Sequence, residues 1–219
     1  MYDAERANIV TTARLLIDRG VLSLSLHGNI SVRVPGTGHL VMTGSSLVGL
    51  TEPAMAVISL GGEVIEGQLA PAEREVLGMH TGFYAERPGA GSLVHTHSPH
   101  ATAFAVAGLA LPVVAESLAR WGIEEDIPVA PWAPRGSAES IEFIGQALRE
   151  HPTAEAVLLG NHGILVSGLD LNASLRRTIA IEENAQLAVL ASGIGGPQTL
   201  SAAQAKTAAA RREQFQVQA

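Results

Sequence analysis

An α/β domain built on a mixed or antiparallel sheet is the fold class this 219-residue sequence predicts. Three observations carry that expectation. Apolar residues recur at helical spacing in some segments and alternate, or run together, as strands in others. Several successive strands are joined by turns of hairpin length. Too few helices separate the strands for a doubly wound parallel sheet.

Residues 4–19, AERANIVTTARLLIDR, set Ile9, Ala13, Leu16 and Ile17 at helical spacing, and Gly20 supplies a stop. ISVRV alternates as a strand, PGTG turns the chain, and HLVM is a second short strand. AVISL, GG and EVIEG form a hairpin whose glycine pair suits positive φ. Pro71 sits where a first helical turn tolerates proline, and the helix AEREVLGMHTGFYAE runs on to RPG. GSLVHTH is a buried strand ending in histidines, followed by a short helix in ATAFAVAG and a short strand in DIPVA. Ser137 is placed to cap the helix AESIEFIGQALRE. AVLLGNHGILVSG reads as strand, tight turn and strand, and a long helix spans about 172–191. Residues 1–219 are expected to form one domain, with a core at about 5–195 and a helix-prone tail, 196–219, whose packing has no sequence signature.

Composition narrows the function classes. With 47% apolar and 16% charged residues, the chain has material for a sizeable core. No apolar run reaches the 18 or so residues of a membrane span, and the N-terminus lacks a secretory apolar stretch, so a cytoplasmic protein is expected. A net charge of -7 without a basic block argues against nucleic acid as partner. Cysteine is absent, which removes disulfide and thiolate chemistry. There is no G-x-S-x-G elbow, and a single lysine, Lys206, makes imine catalysis a poor fit.

The chemistry is concentrated in histidine. On a strand, residues i and i+2 share a face, so His95 and His97 project side by side, as two ligands of one cation must. Neutral imidazole suits zinc and other late divalent metals, and catalytic sites commonly use three protein ligands. His162 lies between Asn161 and Gly163, where two buried strands meet. The competing readings are a core histidine pair satisfied by hydrogen bonds and a polar turn residue.

The motifs GNISVR, MTGSSL, MHTGFYAERPGAGSLVHTHSPHATA, NHG and EENAQ occur in an order and at a spacing that resemble the class II aldolase/adducin family, over about residues 5–195. That resemblance implies a three-layer α/β/α fold with a central, mainly antiparallel sheet. It implies a homotetramer with active sites between subunits, acting on a small molecule. It assigns His95, His97 and His162 to one divalent cation per subunit, usually zinc, with manganese or cobalt as alternatives. The implied activity is carbon–carbon lysis of a small hydroxylated keto or carboxylate compound, by retro-aldol cleavage or decarboxylation through an enolate. A non-catalytic adducin-like scaffold and a metal-activated-water hydrolase are the alternatives.

The chain departs from the family pattern in four places. The proton-moving glutamate should lie four residues before His80, where Val76 stands; Glu75 is the favoured replacement and Glu73 the next. Of the phosphate-binding segments, Gly28, Asn29, Thr43 and Gly44 remain and Ser45 and Ser46 could add hydroxyls. Leu26 replaces a threonine, and LAPAERE lacks the usual serine pair. A substrate tail other than phosphate is therefore expected, met by His27 or Arg33. No tyrosine occupies the family's proton-donor position, and Arg120 nearby could grip a carboxylate.

Overall fold

In the computed structural model, which describes residues 2–211, the helices and strands follow in the order set by the hydrophobic patterning. They are α1 (Asp3–Asp18), β1 (Gly28–Val34), β2 (His39–Thr43), a 3₁₀ turn (Glu52–Ala54), β3 (Met55–Ser59), β4 (Val64–Glu66) and α2 (Pro71–Glu86). Next come β5 (Ser92–Thr96), α3 (Pro99–Ala107), α4 (Glu116–Arg120), β6 (Val129–Ala130) and α5 (Ala138–Glu150). β7 (Ala156–Leu159), β8 (Gly163–Gly168), α6 (Leu171–Ser192) and α7 (Ala202–Ala210) complete the described chain.

The strands form one eight-stranded sheet in the order β4-β3-β2-β1-β5-β8-β7-β6. All neighbours are antiparallel except β6 and β7. Both faces are covered, which explains the near-continuous apolar strands. Along β2, Leu40 and Met42 enter one core while Val41 enters the other; along β5, Leu93 and Val94 divide in the same way. The face carrying Leu93 packs on α2 and α5, through Val76, Phe83, Ile144 and Leu148. The opposite face meets α1 through Ile9 and Leu16, and α6 through Leu175 and Ile181. This is the three-layer arrangement with a mainly antiparallel sheet.

Caps end up where side-chain chemistry puts them. The Ser137 hydroxyl accepts the Ser140 N–H at 3.1 Å at the start of α5, and Asp170 accepts the Ala173 N–H at 2.7 Å at the start of α6. Three features differ from the sequence expectation. Pairing of β5 stops at Thr96, so His97 lies one residue beyond the strand. The short helix α4 carries no distinguishing pattern in the sequence. Helix α7 buries Ala205 and Ala208 against the cluster holding Leu118 and Ala180. An alanine helix has little contrast between its faces, so its packing side cannot be read from periodicity. Residues 212–219 of the expected tail lie outside the described residues.

Candidate metal centre

Strand pairing brings the separated motifs together. β1 and β8 flank β5 and run against it, so the beginning of β1, the end of β5 and the beginning of β8 lie at one end of the sheet. Asn29 pairs with His95, and Thr96 with Ile164. The turn into β8 places Asn161 at φ 56, a left-handed conformation that asparagine tolerates, and the His162 N–H returns to the Leu159 carbonyl at 2.9 Å. A Cβ on Gly163 would sit 2.4 Å from the Thr96 carbonyl oxygen and 2.9 Å from His97 Cδ2. Glycine is required here because the two chain segments touch.

Three imidazoles converge at this point. Ring centroids of His95 and His97 are 5.0 Å apart, and each lies 4.8 Å from His162. One ligand atom from each histidine falls within 4.8 Å of the other two. His95 Nδ1–H donates to the Ile164 carbonyl at 3.0 Å, which leaves the Nε2 lone pair facing His97. The two Nε2 atoms approach to 3.1 Å. Tetrahedral coordination with metal–nitrogen bonds of about 2.0–2.1 Å spaces donors by about 3.3 Å, so the pair is near the required separation. Burial, then the neighbouring imidazoles, hold His95 well below its usual range. Burial, then His162, lowers His97 to about 4, and His162 is lowered by burial and by Arg135. Neutral imidazoles with exposed lone pairs fit a divalent cation, and the backbone carbonyl on His95 is the kind of outer partner that orients such ligands.

A buried polar chain supports the site from below. His80, fully buried and lowered by desolvation to about 3, is neutral. Its Nε2–H donates to Asn29 Oδ1 at 2.5 Å, so its Nδ1 accepts from the Ser31 hydroxyl at 2.7 Å. The Tyr84 hydroxyl donates to the Ser31 carbonyl at 3.2 Å. With its oxygen engaged, Asn29 keeps its amide NH2 for the cleft above.

That cleft has a volume of about 400 Å³, and its lining includes Leu26, Asn29, Glu73, Val76, His95, His97 and Arg135, together with Ser25, His27, Gly28, Ser46 and Ala72. Among the candidate glutamates, Glu73 lines it, half-buried on the first turn of α2, three residues from Val76 and so on the same helix face. Glu75 is exposed and paired with Arg135 at 2.7 Å. Helix phase thus turns Glu73, and not Glu75, towards the cleft. Gly28 and Asn29 are in the cleft as expected, but Thr43, Gly44 and Ser45 are not among its lining residues. The Thr43 hydroxyl is buried and accepts the Ile30 N–H at 3.2 Å, while Gly44 is wedged against the Gln68 and Ala54 carbonyls. Ser46 is the hydroxyl from that loop that reaches the cleft. Arg33 lies over the Tyr84 ring and donates to the Ala90 carbonyl; Arg120 pairs with Glu116 at 2.8 Å on α4. Neither lines the cleft of this chain. Arg135 does, and the sequence offered no signal for it beyond its place in a Pro/Gly-rich loop.

Comparison with known proteins agrees with this geometry. Residues 7–189 match the family model described as the class II aldolase and adducin N-terminal domain. The chain is 31% identical over 202 residues, 91% of each chain, to a 5-deoxy-D-ribulose 1-phosphate aldolase of Bacillus thuringiensis. It is 31% identical over 170 residues to the L-fuculose phosphate aldolase of Escherichia coli, covering 78% of this chain and 76% of that one. A solved L-fuculose 1-phosphate aldolase superposes with a TM-score of 0.83 at 26% identity, covering 95% of each chain. Motif order, sheet topology, the histidine cluster and these matches lead to one conclusion: the chain belongs to the class II aldolase and adducin N-terminal domain family.

Proposed function

We propose that this protein is a divalent-metal-dependent carbon–carbon lyase acting on a small hydroxylated keto or carboxylate compound, by retro-aldol cleavage or decarboxylation. The observation that carries the reading is the convergence of His95, His97 and His162, two of which, His95 and His97, line a cleft that also holds a carboxylate, Glu73. The relatives at 31% identity are sugar-phosphate aldolases, which supports the same reaction class.

In this reading the three imidazoles hold one cation per chain, zinc in preference to manganese or cobalt. Such a cation, when bound, acts as a Lewis acid towards the negative charge that develops as the carbon–carbon bond breaks. The chain's own groups do the rest. Glu73 moves protons between substrate carbon or hydroxyl and its carboxylate oxygens. Asn29 offers amide N–H donors to a substrate oxygen. Val76 and Leu26 close part of the wall and limit water. Lys206, exposed on α7, does not line the cleft, in keeping with chemistry that needs no imine. The absence of Thr43, Gly44 and Ser45 from the cleft's lining supports a substrate tail other than phosphate.

We also propose one domain over residues 1–219, a homotetramer with active sites between subunits, and a cytoplasmic location. Exposed Leu187, Leu190 and Ile194, along and just beyond the end of α6, are apolar surface that such an assembly would cover. Among the described residues, no helix is long and apolar enough to cross a membrane.

Deuterium exchange tests the reaction class. Zinc-loaded protein in deuterated water should exchange protons at the α-carbon of pyruvate or dihydroxyacetone, and a chelator should stop it. Full metal loading with no exchange across a panel of such ketones would defeat the lyase reading in favour of a scaffold or hydrolase.

A further inference from the structure

Arg135 has a position and a support that the proposed chemistry has not used. It is the one guanidinium among the described residues lining the cleft, where Glu73 is the one carboxylate. It also lines a smaller adjoining pocket that contains His162 and Trp132. Arg135 therefore shares one cavity wall with His95 and His97 and another with His162.

The loop that carries it is built to hold it still. Pro134–Arg135–Gly136–Ser137 is a turn closed by the Ser137 N–H on the Pro134 carbonyl at 3.0 Å, with Gly136 at φ 77. A Cβ on Gly136 would lie 2.8 Å from the Glu75 carbonyl oxygen, so the turn rests directly on the second turn of α2. Ser137 then caps α5. The guanidinium itself is oriented by Glu75, whose Oε2 accepts from Nε at 2.8 Å and lies 2.7 Å from Nη2. Glu75 thus has a supporting role that its exposure to solvent does not suggest.

We propose that Arg135 is the specificity-determining residue of this cleft, and that it receives the carboxylate of a 2-oxo or 2-hydroxy acid at the reacting end of the substrate. The inference rests on the reading of the histidine cleft as the substrate site. A planar guanidinium matches a planar carboxylate. Its closeness to His97 and His162 sets the anionic group beside the reacting carbons rather than at a distal tail. An acid in this cleft faces the negative Glu73, and Arg135 is the group that offsets that repulsion.

Calorimetric binding to the zinc-loaded protein separates the possibilities, using pyruvate, dihydroxyacetone and inorganic phosphate as probes. Pyruvate and dihydroxyacetone are both small ketones, and only pyruvate carries a carboxylate. The wild-type protein should prefer pyruvate. Arg135→Gln should reduce the pyruvate-to-dihydroxyacetone affinity ratio by about tenfold or more, the effect of losing a charged hydrogen bond. Arg135→Lys, which keeps the charge without the fork, should give an intermediate ratio, and metal content should stay at one per chain in both variants. An unchanged ratio in Arg135→Gln, or a wild-type protein without preference for pyruvate, overturns the proposal. So does a loss of phosphate binding larger than the loss of pyruvate binding, which would make Arg135 a phosphate clamp. Since binding is read here and turnover is not, an absence of α-carbon exchange would count against the lyase reading alone.

Discussion

Two glutamates two residues apart, Glu73 and Glu75, show how much a helix's phase decides. From composition they are equivalent, and both fall on the first turns of α2. A separation of two residues points them about 200° apart around the axis, so only one can face the cleft. Glu73 does, and Glu75 instead reaches Arg135 at the surface. Substituting Glu73→Gln should lower the α-carbon exchange rate by about 10²–10⁴-fold, the range for loss of a positioned acid–base group. Glu75→Gln should cost far less, because its carboxylate acts only through Arg135. Exchange rates of the two variants, measured at equal metal content, decide the assignment; a larger loss in Glu75→Gln would reverse it.

At the level of elements, the site depends on how closely β5 and β8 approach. Their antiparallel pairing carries His95 towards the turn bearing His162, and Gly163 is where the two backbones meet. A methyl group at Gly163 has backbone on one side and the His97 ring on the other, so something must move. Gly163→Ala should destabilise the fold by about 1–3 kcal/mol, as overpacking does, and should weaken metal binding as well. Gly89→Ala is the fitting control: an added Cβ there meets nothing within 4 Å and its φ is not positive. Urea denaturation and elemental analysis of both variants provide the comparison. Equal stability and equal metal content would show that the strands can separate without cost.

For the molecule as a whole, burying neutral imidazoles makes stability depend on pH. His80 is lowered from 6.5 to about 3 and His97 to about 4, in both cases chiefly by desolvation. Between those values and 6.5 the unfolded chain binds protons that the folded chain does not. Stability therefore falls as pH drops below 6.5, and is restored as pH rises through that value. His80 alone contributes a slope of up to about 1.4 kcal/mol per pH unit in that window. The urea midpoint of chelator-treated protein should be nearly level above pH 7 and decline steadily from pH 6.5 to 4.5. A level midpoint across that range would mean that these imidazoles become protonated without unfolding. Metal-loaded protein should resist acid better until protons displace the cation.

Much was legible in the residues themselves. Period-2 and period-3.6 patterns located the principal strands and helices, because burying one face forces apolar residues into those periods. The histidines at 95, 97 and 162 stood out because few side chains suit a cation and these lie next to strand ends and turns. The serine at 137 announced its cap for an equally local reason. What the linear order left open depended on contacts between distant segments. Helix phase put Glu73 rather than Glu75 in the cleft, and a turn resting on α2 brought Arg135 there. The fold placed Thr43, whose buried Oγ1 accepts the Ile30 N–H, outside the cleft's lining. The packing side of α7 was decided by neighbours, since alanines present nearly the same surface all round. Periodicity records which residues are buried, because each burial is a local event repeated along the chain; which buried or half-buried groups face one another is decided only when the sheet closes and the helices settle on it.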